Sequence, residues 1–155
     1  RDAQERIQAL QFRFDQGKTR YAWVSSNERP SGASSGTPMH YATPYRVQLK
    51  PNARVWFTEG ALKADIIADQ LEQAVVAIAG VNAFNQDMAR QLAASLPSLS
   101  TITIAFDADA AEKPQVARAL ERAAFLLHSV GLRVQIAQWN PSLGKGLDDV
   151  LVGRR

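Results

Sequence analysis

The chain has 155 residues, 46% of them hydrophobic and 21% charged, with a net charge of +3. That is enough for a domain with a real core, and no apolar run approaches the roughly 20 residues that span a bilayer, so no membrane partner is expected. With 0 cysteines, a disulfide framework, a thiolate zinc site and a cysteine nucleophile are excluded within this chain, and with 2 histidines a histidine-rich metal site is not expected.

The cysteine count fits a reducing, cytoplasmic setting. A first residue of Arg1 predicts a piece excised or processed from a longer protein. Arg13, Lys18, Arg20, Arg29 and Arg46 gather in the N-terminal third, a pattern that permits nucleic-acid binding and equally describes a solvated surface.

Taken in chain order, two textures appear. Up to about Thr43 the sequence is polar and irregular. Residues 2–10 predict a short helix. Phe12, Phe14, Tyr21, Trp23 and Val24 predict two short strands around an Asp15-Gln16-Gly17-Lys18 turn. The stretch from Ser25 to Pro38 has loop composition, rich in Ser, Gly and Pro.

From about residue 44 strands and helices alternate. Strands are expected at 54–58, 74–79, 101–106 and 132–138. Helices are expected at 61–72, about 84–95, 114–129 and from Leu147 onward. Pro114 suits a first helical turn and Gly131 a helix end. Apolar runs alternating with helices mean a parallel sheet covered on both faces. Val116, Leu120, Ala123, Ala124 and Leu127 lie on one helical face and are expected to pack on that sheet. His128 is expected at the surface or capping the helix end. The organisation expected is an N-terminal extension over 1–49, with short strands and a Ser/Gly/Pro loop, and an α/β domain over 50–155.

Chemistry concentrates where the strands end. Val55-Trp56-Phe57-Thr58 runs into Glu59-Gly60, and Ile102-Thr103-Ile104-Ala105-Phe106 runs into Asp107-Ala108-Asp109. In open α/β sheets ligands bind at that edge. Carboxylates meeting there repel one another unless protonated or neutralised by a cation. Mg²⁺ takes oxygen ligands and keeps several waters, so two or three carboxylates suffice. Glu59 suits cation binding or general acid–base work, and a favourable helix start equally well. Asp107 and Asp109, two apart, can face the same way and grip one cation, or simply open a loop.

Gly144-Lys145-Gly146-Leu147-Asp148-Asp149 follows the last strand. Lys145 suits a phosphate and Asp148 a further metal ligand, or the run is only a helix start. It is not a P-loop, because no Ser or Thr follows the lysine. Lys63, one turn after Glu59, is placed to pair with Asp107 or Asp109, or to touch phosphate. Gly80 and Asn82 are expected in a pocket wall near the same edge.

Glu59-Gly60 followed two strands later by Asp107-x-Asp109 resembles the Toprim domain. Phe57-Thr58-Glu59-Gly60-Ala61-Leu62-Lys63-Ala64-Asp65, with Gly144-Lys145-Gly146-Leu147-Asp148-Asp149, is similar to a primase-associated branch of that family found in phage, plasmid and other mobile-element replication proteins. The resemblance covers about residues 50–152. It implies a Rossmann-like fold with a four-stranded parallel sheet flanked by helices. It also implies Mg²⁺ (or Mn²⁺) at the acidic edge, held by Glu59, Asp107 and Asp109, with Glu59 as catalytic acid or base.

In that branch the partners implied are DNA or RNA, nucleotides, and the rest of the parent polypeptide, a helicase or ATPase region. Three positions depart from the family pattern. Lys63 stands where primases carry an acid. Ala110-Ala111-Glu112 replaces the usual Ala-Gly after the aspartates. Gly146 replaces the first acid of the last motif, leaving Asp148. Fewer or weaker metals than in a full primase site are therefore expected.

The function expected is a Mg-dependent Toprim-like module of a larger DNA replication protein that binds or processes phosphates, with Lys63 and Lys145 as phosphate contacts. Primase-like nucleotidyl transfer and nuclease action are the reactions open to it. The alternatives are a non-catalytic module with a degenerate metal site that binds nucleic acid or a partner, and a magnesium phosphohydrolase using Asp107 as nucleophile.

Overall fold

The computed structural model describes residues 1–17, 21–32, 34, 36–42, 51–97, 100–108 and 113–153. Two short strands come first, β1 (Gln11–Arg13) and β2 (Tyr21–Trp23). They pair antiparallel in the register Gln11 to Trp23, Phe12 to Ala22 and Arg13 to Tyr21, as the alternation around the turn predicts. Gly17 in the turn has φ +100, a conformation open to glycine and costly for other residues.

The remaining elements are β3 (His40–Ala42), β4 (Arg54–Glu59), α1 (Ala61–Leu71), β5 (Val75–Ile78), α2 (Gln86–Ser95), β6 (Thr101–Ile104), α3 (Pro114–Ser129), β7 (Arg133–Ile136) and α4 (Leu147–Val152). The sheet order is β3-β5-β4-β6-β7. β4 runs parallel to β5 and to β6, and β6 parallel to β7, while β3 runs antiparallel to β5. The architecture is therefore mixed α/β, a five-stranded mixed sheet flanked by helices, where a four-stranded parallel sheet was expected.

The fifth strand comes from the region read as an irregular extension. His40-Tyr41-Ala42 carries too little alternation to announce a strand. Its backbone groups find partners on the outer edge of β5, an edge that is otherwise open.

The expected helix over 2–10 is a turn instead. The Asp2 carboxylate accepts from the backbone N–H groups of Gln4 and Arg6, both at 2.9 Å, and from Arg6 Nε at 2.8 Å. A side chain that captures local donors in this way competes with the helical ladder. Glu5 takes φ 62 in the same turn.

The core has two sides, as strands buried on both faces require. Val55 and Phe57 of β4, with Ile102 and Ile104 of β6, face α2 and α3, where Leu92 and Leu127 pack on them. Val75 and Ala77 of β5 face α1 and α4, against Ala64, Ile67 and Leu147. Of the face expected on α3, Ala123 and Leu127 are buried, and Leu120 and Ala124 pack partly buried beside them. His128 is exposed near the helix end. The edge strand β7 exposes Ile136. No helix among the described residues is long and apolar enough to cross a membrane.

Candidate functional site

β4 has β5 on one side and β6 on the other, and the chain reaches these neighbours in opposite directions. The crevice beyond β4 and β6 is thus the topological switch point where doubly wound sheets bind ligands. Glu59 ends β4, and Asp107 follows β6 by three residues.

The frame beneath these carboxylates is rigid. Phe57 packs on Phe84 and Phe106 with ring centroids 4.8 Å and 5.8 Å apart. Thr58 is buried, and its Oγ1 donates to the carbonyl of Ala105 at 2.9 Å. Gly60 takes φ 87 and donates its N–H to Ile78 O at 2.8 Å. That positive φ lets the chain turn directly from strand into α1.

Lys63 lies in the first turn of α1, which carries no acidic residue. A cation there opposes the helix dipole and needs a compensating charge. Asp107 supplies it, since the Lys63 ammonium donates to Asp107 Oδ1 and Lys145 Nζ lies 3.1 Å from Oδ2. The Asp107 side chain is 17% exposed, that of Lys63 31% and that of Lys145 61%. One carboxylate thus holds two ammonium groups, one mostly sheltered and one largely in solvent.

The loop carrying Lys145 is pinned in place. Its carbonyl accepts from the N–H of Ala108 at 2.8 Å, and Trp139 Nε1 donates to Gly144 O at 3.0 Å. Beyond it, the Gly146 N–H donates to Asp149 Oδ2 at 3.0 Å, so Asp149 caps α4. Asp148 turns the other way. Its Oδ1 is buried with no hydrogen-bond partner. Burial pushes its carboxyl above the ordinary range, Lys63 pulls it back, and Asp149 pushes it up again. A Cβ added to Gly146 would stand 2.2 Å from Asp148 Oδ1 and 3.3 Å from Lys63 Nζ. The glycine keeps open the space that these two groups share.

Glu59, Lys63 and Asp148 line one cleft of about 590 Å³. Lys63 joins that cleft to Asp107, and Asp107 joins it to Lys145. The structure therefore brings together five of the six residues singled out from sequence; Asp109 lies outside the described residues. Among the described residues, no group of three or more His, Asp or Glu is arranged to hold a metal ion. A second cleft, of about 530 Å³, lies between the ends of β6 and β7 and α3, with Asp107 at its border beside Phe106, Leu120 and Trp139.

Other residues of the larger cleft were not foreseen. Gln11, Arg13, Tyr21 and Trp23 of the hairpin form its outer wall. His40 Nε2 lies 2.8 Å from Asp65 Oδ1, fastening β3 to α1 at the rim. The alternation in 11–13 and 21–23 was the available signal, but the placement of that hairpin at the border of this cleft has no local signature. No curated protein and no solved structure matches the chain. The family described as a domain of unknown function (DUF3854) matches residues 45–155, and the chain belongs to that family.

Proposed function

We propose that the chain is a Toprim-like module of a larger DNA replication protein of primase or helicase type, and that it binds the phosphates of nucleotides or nucleic acid at the switch-point edge. The observation that carries this reading is the convergence of Lys63 and Lys145 on Asp107, beside a cleft that also holds Glu59 and Asp148. Two ammonium groups parked on a carboxylate are a store of positive charge. A phosphate entering the edge offers them a more highly charged partner.

The donors are all carboxylate oxygens, the chemistry Mg²⁺ prefers, and Asp148 Oδ1 is a buried oxygen with no hydrogen-bond partner of its own. Glu59, Asp107 and Asp148 are not grouped closely enough to hold an ion by themselves, so the ligand set this reading needs is Asp107 with Asp109, as the resemblance implies, and Glu59 or Asp148 drawn in beside them. When bound, Mg²⁺ would neutralise phosphate charge and orient an attacking oxygen. Lys63 and Lys145 position the phosphate. Glu59, at the end of a rigid strand, exchanges a proton with the reacting group if the module is catalytic.

A second reading is a non-catalytic module that binds phosphate through its lysines alone. The neutralisation of Asp107 by two lysines favours it, because a metal must displace at least one of them. The deciding experiment is fluorescence anisotropy of a labelled oligonucleotide and calorimetry of a nucleoside triphosphate, each with Mg²⁺ and with chelator. Binding that requires Mg²⁺ and is lost in Asp107→Asn supports the first reading. Binding that persists in chelator and is lost in a Lys63→Met, Lys145→Met double variant supports the second. No binding under either condition at millimolar ligand refutes both.

A further inference from the structure

The β1–β2 hairpin presents two faces, and the register sorts its side chains between them. Gln11 stands opposite Trp23 and Arg13 opposite Tyr21. Directly paired residues share a face, as do residues two apart on one strand. Gln11, Arg13, Tyr21 and Trp23 therefore form one face, and all four line the cleft that holds Glu59, Lys63 and Asp148. Phe12 falls on the opposite face by register, borders the same cleft as well, and meets Phe14 edge to face, with centroids 4.9 Å apart.

The cleft-facing side is not a hidden core. Tyr21 is 52% exposed. Two strands of three residues are marginal on their own, and this hairpin carries an exposed Tyr21 beside a half-buried Trp23, aromatic surface that a ligand could cover. The pair has the make-up of a stacking platform. Tyr21 and Trp23, two apart on one strand, offer adjacent flat rings. Arg13 beside Tyr21 offers a cation, and Gln11 beside Trp23 an amide.

We infer that this hairpin is a base-stacking platform for single-stranded nucleic acid. Two successive bases lie on Tyr21 and Trp23 while the adjoining backbone phosphates run toward Lys63 and Lys145. The inference rests on the phosphate-binding reading above. Stacking on aromatic rings reads a base by its π-face, so sequence preference is weak. A duplex, whose bases are already stacked on one another, gains nothing from the platform and binds less tightly.

The test compares strands that differ only in their bases. A labelled oligothymidylate of about 12 nucleotides, a span within the usual range for such grooves, is titrated against an abasic strand of equal length. The unaltered chain should bind the base-bearing strand roughly tenfold or more tightly than the abasic one. Tyr21→Ala with Trp23→Ala should erase that difference and leave abasic binding unchanged. Trp23→Phe should keep most of the affinity while losing the part of the tryptophan quenching that Trp23 contributes, a readout independent of any folding effect of the alanines.

Equal affinity for both strands overturns the platform. If that shared affinity is lost in the Lys63→Met, Lys145→Met variant, the phosphate site stands without it. Absence of binding to either strand overturns the platform and the phosphate site together. Tighter binding of duplex than of single strand also overturns the platform.

Discussion

Replacing Lys63 by Met removes an ammonium while keeping most of its stem, and this should tighten divalent-metal binding. Lys63 and Asp107 are 31% and 17% exposed, so their attraction is only partly screened. Opposite charges about 4 Å apart attract by about 4 kcal/mol at an effective dielectric of ~20. Desolvation and side-chain ordering return much of that, leaving a net of about 1–2 kcal/mol for a part-buried pair. A metal that needs Asp107 must overcome this amount, and each 1.4 kcal/mol is about tenfold in affinity.

Lys63→Met should therefore lower the Kd for Mn²⁺ or Mg²⁺ by roughly tenfold. Lys145 is 61% exposed at 3.1 Å from the same carboxylate, so Lys145→Met should gain less than about fivefold. Isothermal calorimetry on the two variants and the parent chain gives both ratios. The reasoning fails if neither variant gains affinity, or if Lys145→Met gains as much as Lys63→Met.

Three further outcomes follow from the same edge. Asp148 has a folded-state pKa above its unfolded value through burial, so its ionisation opposes folding. Stability from this group is lost as pH rises from the unfolded pKa through the raised folded one. Asp148→Asn should raise Tm by up to about 3 °C at pH 7 in chelator, and scanning calorimetry should show the gain shrinking as pH falls through the raised folded pKa and absent below the unfolded one. Gly144 sits at φ 156, where a Cβ would stand 2.7 Å from Asp149 Cβ and 2.9 Å from Val150 N. Gly144→Ala should cost about 2 kcal/mol or more as a lowered urea midpoint. Thr58→Val removes the donor to Ala105 O inside a buried frame. It should cost about 1–2 kcal/mol by the same assay, with no change in midpoint speaking against the role given to that bond.

The elements from β4 to α4 were legible because each carries its own signal. Val55 to Thr58 and Ile102 to Phe106 are apolar runs too short for helices. Pro114 and Gly131 bracket a helix between them. The carboxylates were legible as a site because strand ends share one edge in any doubly wound sheet. The pairing of Lys63 with Asp107 was among the partners open to it, since one helical turn from Glu59 reaches toward the neighbouring strand. That Lys145 would share Asp107 was not readable, because it depends on where the loop after β7 returns. β3 was hidden for a similar reason: three residues acquire strand character only from the β5 edge beside them. The helix expected over 2–10 failed because periodicity says nothing of a carboxylate at Asp2 that takes the N–H groups for itself.

The hydrogen bond from Gly60 N–H to Ile78 O continues the parallel ladder one residue past the end of β4. The amide next to Glu59 is thereby tied into the same opening unit as the central strands, and its hydrogen exchange should track unfolding of the whole sheet rather than local fraying. The main chain that carries Glu59 therefore does not shift toward a ligand as a loop would. Induced fit at this edge belongs to side chains, above all the largely exposed Lys145, with the strand end that carries Glu59 as the fixed point against which they move.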